Sequence, residues 1–89
     1  SDKISYYQGK SECDFVIQRE DRVIQVIQVT WSMADKETRE RELKGLLEAS
    51  SATGCSTLLV ITDDEEDCFK VDGKSVNVIP AWKWLLLAD

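Results

Sequence analysis

The chain has 89 residues, enough for one domain with one hydrophobic core. Its 17 Asp and Glu residues against 11 Lys and Arg residues give a formal net charge of -6, which disfavours non-specific binding to the phosphate backbone of nucleic acids. No apolar run reaches the roughly 20 residues of a transmembrane helix, and the N-terminus lacks the pattern of a signal peptide. We therefore expect residues 1–89 to form a single cytoplasmic domain, excised from a larger protein.

Two short strand-like segments open the chain. Residues 4–7 and 13–18 are rich in aromatic and β-branched side chains, and residues 8–11, which include a glycine, form a turn sequence between them. The charged tetrad 19–22 then leads into a third strand through a tight connection. The three strands are predicted to form an antiparallel meander.

Residues 22–31 are the stretch richest in β-branched side chains and are predicted to be the central strand. The strand period of two places its side chains on two faces, Ile24, Val26, Gln28 and Thr30 on one, and Val23, Gln25, Ile27, Val29 and Trp31 on the other. Both faces are mostly apolar, so we expect both to be covered, with a helix on at least one. Gln28 and Thr30 each need a hydrogen-bonding partner or a solvated cleft.

After the central strand the apolar period becomes helical, and Ser32 and Asp35 are both suitable N-caps. The apolar side chains of this helix lie in its second half, so only that half is expected to dock on the sheet. Gly54 suits the left-handed position that ends a helix.

Residues 57–62 are a continuous apolar run of strand length. A strand, a helix and a second strand imply a right-handed crossover to a parallel partner, most simply the central strand. The acidic run 63–67 is expected to be a solvated loop at the carboxyl end of this strand. Calcium binding is the alternative, but the run lacks the spacing of an EF-hand loop.

Residues 68–71 and 76–79 flank Asp72-Gly73, the strongest hairpin signal in the chain. Pro80 ends the second of these strands, and residues 81–87 are predicted to form a terminal helix whose Trp and Leu side chains pack across the sheet. An exposed apolar contact for a neighbouring domain is the rival interpretation. The order strand, strand, strand, helix, strand, hairpin, helix predicts an α/β (α+β) sandwich around a mixed sheet.

Two segments resemble the core signature of the PD-(D/E)xK nuclease-like, or restriction-endonuclease-like, fold: Glu12-Cys13-Asp14-Phe15-Val16-Ile17 and Ile27-Gln28-Val29-Thr30-Trp31. More narrowly, these segments, with residues 37–47 and 78–86, are similar to the C-terminal domain of Bacteroidetes-like AAA+ ATPases. The resemblance implies an accessory domain without a cofactor of its own, whose parent chain binds ATP upstream. Its implied partners are the upstream ATPase domain of the same chain, another protein or nucleic acid.

In active nucleases of that fold, paired carboxylates hold a divalent metal ion and a Lys helps to activate the attacking water. Carried over by position, Asp14 keeps the first carboxylate, Gln28 stands where Glu is commonest, and Thr30 stands where Lys is needed. Gln brings an oxygen without charge and Thr brings no cation, so the resemblance implies a degenerate site. The alternatives are a nuclease acting on DNA, with Mg²⁺ held by Asp14, Glu12 and Gln28, or an independent protein-interaction module.

Asp14 and Gln28 share a face of the sheet only if the numbers of directly opposed residues sum to an even value. A two-residue turn at Glu20-Asp21 would oppose residues 18 and 23 and put Asp14 on the other face. We therefore predict an odd-length connection or a β-bulge in this hairpin. Asp14 is then expected either to bind a metal ion or to satisfy backbone or Gln28 donors in a polar cluster.

Overall fold

In a computed structural model that describes residues 2–5 and 14–87, the chain folds as a mixed six-stranded sheet with two helices. The elements follow the chain as β1 (Asp2–Ser5), β2 (Phe15–Arg19), β3 (Arg22–Val29), α1 (Lys36–Thr53), β4 (Leu58–Thr62), β5 (Asp67–Val71), β6 (Lys74–Pro80) and α2 (Ala81–Leu87). This order confirms the predicted α+β sandwich, with its meander, crossover helix, hairpin and short final helix. Predicted strand residues 6, 7 and 13 lie outside the described residues.

The strand order in the sheet is β1-β2-β3-β4-β6-β5, with β3, β4 and β6 as parallel neighbours at the centre. Val26 of β3 lies opposite Leu58 of β4, so the predicted parallel partner of the central strand is confirmed. The meander adds β2 and β1 on one side, and β5 closes the other side antiparallel to β6. The carboxyl ends of the three parallel strands therefore meet at one edge of the sheet.

The hairpin between β2 and β3 combines a two-residue turn with a β-bulge. The pairs next to the turn have odd sums and those beyond the bulge have even sums: Arg19↔Arg22 and Gln18↔Val23, then Ile17↔Gln25, Val16↔Val26 and Phe15↔Ile27. The predicted bulge is thus confirmed, and it lies between Ile17 and Gln18. Because a bulge inserts one extra residue, it returns Asp14 to the face that carries Gln28.

Helix α1 covers one face of the sheet. Of the two suitable N-caps the chain uses Asp35, whose carboxylate accepts the N–H of Thr38 at 2.9 Å. The helix ends at Gly54, which has a φ of 74° and donates its N–H to the Ser50 carbonyl oxygen. Its buried residues all lie in the second half, as predicted: Gly45, Leu46, Ala49 and Ser50.

The larger core lies between α1 and the sheet, and each of its members is at most 6% exposed: Val16, Val26, Met33, Leu46, Ala49, Cys55, Leu58, Val60, Val76 and Val78. The helical members of this core come from α1, whereas α2, which is only seven residues long, packs on the other face of the sheet. Neither helix in the described part of the chain is long and apolar enough to cross a membrane.

The opposite face of the sheet has a smaller core of Ile27, Leu59 and Ile61. Helix α2 reaches it through Trp84, whose ring packs edge-on against Phe15 with centroids 6.3 Å apart. The other large side chains of α2 are exposed, at 58% for Trp82, 67% for Leu85, 72% for Leu86 and 68% for Leu87. The prediction that the Trp and Leu side chains of this helix pack across the sheet is wrong for these four, because a helix on the surface of a sheet buries only the stripe that faces the sheet.

We expect Leu46→Ala to lower the free energy of unfolding by about 2–5 kcal/mol, because this side chain is fully buried and the surrounding core does not collapse into the space it leaves. The matched control is Leu85→Ala on α2, which should change the same quantity by less than about 0.5 kcal/mol. Urea denaturation at low protein concentration, followed by tryptophan fluorescence, measures both. Equal losses in the two variants would contradict the assigned core.

Candidate functional site

The residues singled out by the sequence lie at the carboxyl edge of the parallel strands. Asp14 immediately precedes β2, Gln28 lies near the end of β3, and Thr30 follows β3. The bulge in the hairpin places Asp14 and Gln28 side by side on the face that α1 covers. Ligand sites of open α/β sheets form at this edge, so the hydrogen bonding of these three side chains decides what the edge can bind.

Asp14 and Gln28 are joined by hydrogen bonds that include the backbone. The Asp14 N–H donates to Oε1 of Gln28 at 2.7 Å, and the Val29 N–H donates to Oδ2 of Asp14 at 2.6 Å. Nε2 of Gln28 donates to the carbonyl oxygen of Glu42 in α1 at 3.4 Å. The Gln28 side chain, whose residue is only 2% exposed, therefore ties β2 and β3 to the crossover helix.

In this geometry, side-chain oxygen atoms that a metal ion would need already accept hydrogen bonds from backbone N–H groups. Oε1 is the sole oxygen of the Gln28 side chain, and Oδ2 is one of the two carboxylate oxygens of Asp14. Each accepts a backbone N–H at 2.7 Å or less. The alternative in which Asp14 satisfies a backbone donor within a polar cluster matches these bonds, although Asp14 itself is exposed and only Gln28 is buried.

Thr30 continues the line of β3 beyond its last ladder residue. Its N–H donates to the Ile61 carbonyl oxygen at 3.0 Å, and its hydroxyl lies 3.5 Å from the carbonyl oxygen of Ser32. The residue is half-buried. A hydroxyl in this position carries no positive charge toward the edge where a Lys would stand in the family pattern.

Two of the three proposed metal ligands, Asp14 and Gln28, are brought together, whereas Glu12 lies outside the described residues. Within residues 2–5 and 14–87, no group of three or more Cys, Asp or Glu side chains is placed to hold a metal ion. Of the proposed ligands, the described residues thus supply one charged and one neutral side chain.

A second polar cluster at this edge centres on Glu65, in the acidic run expected to be a solvated loop. Its Oε1 accepts the Met33 N–H at 2.7 Å, and its Oε2 accepts the Ser32 hydroxyl at 2.6 Å. Asp63 and Asp64 are exposed as expected, but the expectation is wrong for Glu65. Its carboxylate holds the segment that enters α1 against the loop that leaves β4.

One sequence signal could have identified this residue. Thr62 and Glu65 have the T-x-x-E spacing, in which the hydroxyl accepts the N–H three residues later. The structure has this bond, from the Glu65 N–H to Oγ1 of Thr62 at 3.0 Å. The partners of the carboxylate lie about thirty residues earlier in the chain and could not be read from a local pattern.

Hydrogen bonding from the Met33 N–H, and then from the Ser32 hydroxyl, holds the pKa of Glu65 below its ordinary value of 4.5 despite partial desolvation. Because the pKa is lower in the folded state than in the unfolded chain, the ionised carboxylate stabilises the fold above the unfolded value. That contribution is lost as the pH falls from about 4.5 through the folded value.

We expect Glu65→Gln to lower the free energy of unfolding near neutral pH, because the amide loses the charge and turns one acceptor into a donor facing the Met33 N–H or the Ser32 hydroxyl. The deficit relative to the unmodified protein should shrink as the pH falls from about 4.5, where the carboxyl group of the unfolded chain takes up its proton, through the lower pKa of the folded state. Denaturation curves across this pH range measure the difference. Asp64→Asn, an exposed neighbour, is the control, and an equal pH-dependent deficit there would contradict the role of Glu65.

A groove of about 1050 Å³ lies on the opposite face of the sheet, beside α2. The groove has Leu59 and Asn77 on its floor, and Trp84 and Leu87 of α2 line it as well. Two ion pairs lie among its lining residues, Arg19–Asp2 at 2.8 Å and Lys83–Glu66 at 3.1 Å. The domain therefore has a polar edge on one side of the sheet and a partly apolar concavity on the other.

The chain matches no protein-family model, no curated protein and no solved structure. Two features of the molecule itself bear on its function. One is the hydrogen bonding of Asp14 and Gln28, and the other is the exposed apolar surface of α2 with the groove beside it.

Proposed function

We propose that this chain is a catalytically degenerate, nuclease-fold-like accessory domain of a larger AAA+ ATPase, and that it acts through interactions. The observation that carries the proposal is the use of Gln28 Oε1 and Asp14 Oδ2 as acceptors for backbone N–H groups, at 2.7 and 2.6 Å. ATP would bind in the parent chain, upstream of these residues, and the domain itself needs no cofactor for this role.

The chemistry of phosphodiester hydrolysis supports the loss of catalysis. A divalent metal ion is held by charged oxygen ligands, and a nearby cation stabilises the negative charge that grows on the phosphate in the transition state. At the corresponding positions this chain has one carboxylate, on Asp14, with a neutral amide on Gln28 and a hydroxyl on Thr30. The inherited geometry is retained without the charges that the reaction requires.

Burial gives Gln28 a structural role instead. A buried amide is costly unless its donors and acceptors are satisfied, and this one bonds the start of β2 and the backbone of α1. Its bonds hold Asp14 at the register set by the bulge and fix where the helix crosses the sheet. A polar residue at this position therefore serves the fold without serving a reaction.

An interaction role is supported by the exposed side of α2. Four large apolar side chains, from Trp82 to Leu87, are each more than half exposed, and clusters of this kind mark interaction sites. The net charge of -6 favours protein over nucleic acid as the partner. Among the partners that the family resemblance implies, these features favour protein, whether the upstream ATPase domain or another chain.

The second candidate function is a metal-dependent nuclease acting on DNA, with Mg²⁺ held by Asp14, Glu12 and Gln28. The observation that favours it is the side-by-side placement of Asp14 and Gln28 at the carboxyl edge of the sheet, where Asp14 is exposed.

Titration of Mg²⁺ and Mn²⁺ into the isotope-labelled domain, followed by its amide spectrum and by DNA cleavage, separates the two functions. We expect no saturable shift at residues 14, 28 and 29 and no cleavage, because the charged ligands are too few. The Gln28→Glu and Thr30→Lys double variant restores the family's charges and is the positive control for metal binding. A saturable shift in the unmodified protein, with cleavage abolished by Asp14→Ala, would establish the nuclease.

Comparison of Asp14→Asn with Asp14→Ala tests the structural role. Asn keeps an oxygen that accepts the Val29 N–H, whereas Ala does not, so we expect Ala to lower the free energy of unfolding by about 1 kcal/mol and Asn by less than half of that. Denaturation curves measure both, with the same substitutions at Asp21 in the exposed turn as controls. Equal losses for Asn and Ala at Asp14 would show that the carboxylate charge, rather than the accepted hydrogen bond, is needed.

A further inference from the structure

We infer that α2 and the groove beside it form a self-complementary surface that binds a second copy of this chain. The inference rests on the proposed interaction role and names the partner. The outward side chains Trp82, Leu85, Leu86 and Leu87 are called the α2 ridge, and the concavity lined by Leu59, Asn77 and Trp84 is called the α2 groove. Each copy would place its ridge in the groove of the other.

The α2 ridge is one continuous apolar feature. Trp82, Leu85 and Leu86 are spaced i, i+3 and i+4, so they project from the same side of the helix. With exposed fractions of 58%, 67% and 72%, they and Leu87 present on the order of 500 Å² to solvent, near the upper end for the largest apolar patch of a monomer. The ridge is therefore large enough to drive association.

The α2 groove has the size and character to receive such a ridge. A seven-residue helix is about 10 Å long and about 10 Å across, a volume on the order of 800 Å³. The groove measures about 1050 Å³, and its lining combines apolar side chains of the sheet and of Trp84 with charged ones: Asp2, Arg19, Glu66, Asp67 and Lys83. The concavity is therefore large enough to receive the outward side of such a helix.

The relative position of ridge and groove favours a second copy over an unrelated chain. Both belong to α2 and its surroundings, and Leu87 is at once a ridge residue and a lining residue of the groove. Around a two-fold axis, each ridge meets the other groove, and the assembly closes at two copies. Burial of both features on both copies removes on the order of 1,500 Å² from water, within the range of specific protein–protein interfaces.

Four of the five charged residues that line the groove form ion pairs within one copy. Lys83 of α2 is paired with Glu66 at 3.1 Å, and Arg19 in the groove lining is paired with Asp2 at 2.8 Å, so both cations are already partnered. Two copies of net charge -6 nonetheless repel each other, and salt screens that repulsion. The dimer should therefore strengthen with salt, whereas a complex with a basic partner helix would weaken.

Sedimentation equilibrium of the chain from about 5 to about 500 µM tests the inference. We expect a monomer–dimer equilibrium that tightens when the salt concentration rises from about 0.05 to about 0.5 M. Leu86→Glu should weaken the dimer at least about tenfold, because it introduces an unpartnered charge into the buried ridge. Ala52→Glu, which adds the same charge to an exposed position of α1, is the control and should leave the dimer unchanged.

The groove is tested separately by Asn77→Arg, an exposed floor residue of β6. This variant alone should also weaken the dimer, and an equal mixture with Leu86→Glu should form heterodimers more tightly than either variant associates with itself. In the mixture one ridge and groove are unaltered, and the other pair brings Glu to Arg.

A chain that stays monomeric throughout, a dimer insensitive to both substitutions, or a dimer weakened by salt would overturn the inference. None of these outcomes bears on the loss of catalysis, which the metal titration tests by itself.

Discussion

The hydrogen bond from the Asp14 N–H to the buried amide oxygen of Gln28 is the constraint on which the polar edge of this domain depends. It forms only because the bulge between Ile17 and Gln18 corrects the register that the tight turn sets. The same amide reaches the backbone of α1 through Nε2. One side chain thus connects the meander to the crossover helix. These hydrogen bonds account for a buried polar residue in the central strand.

The two helices cover the two faces of the sheet to different extents. On one face, the second half of α1 buries a large apolar core. On the other face, α2 is too short to do the same, so Trp84 packs on Phe15 while its neighbours face solvent. An apolar surface that remains exposed beside a groove is suited to association, and it lies away from the polar edge that carries Asp14 and Gln28.

Much of the candidate site was predictable because its rules are local. The parity of the hairpin required a bulge once Asp14 and Gln28 were placed on one face, and the bulge is there. The role of Glu65 was not predictable from its acidic surroundings. Its carboxylate accepts hydrogen bonds from the Met33 N–H and the Ser32 hydroxyl, which the fold brings from another part of the chain. The exposure of the α2 ridge was likewise undecided, because six of the seven residues of α2 are apolar and this pattern does not say which of them face the sheet.

The sequence by itself determined the order and type of the elements, the end of α1 at Gly54 and the parallel pairing of β3 with β4. These follow from side-chain periodicity, turn chemistry and the handedness of a crossover, which act over short stretches of chain. Only the tertiary structure decided that Gln28 is committed to backbone groups, that Glu65 joins two loops, and that Trp84 alone among the large side chains of α2 packs on the sheet. Those contacts join residues that lie far apart in the sequence, and local sequence patterns do not indicate which distant residues meet.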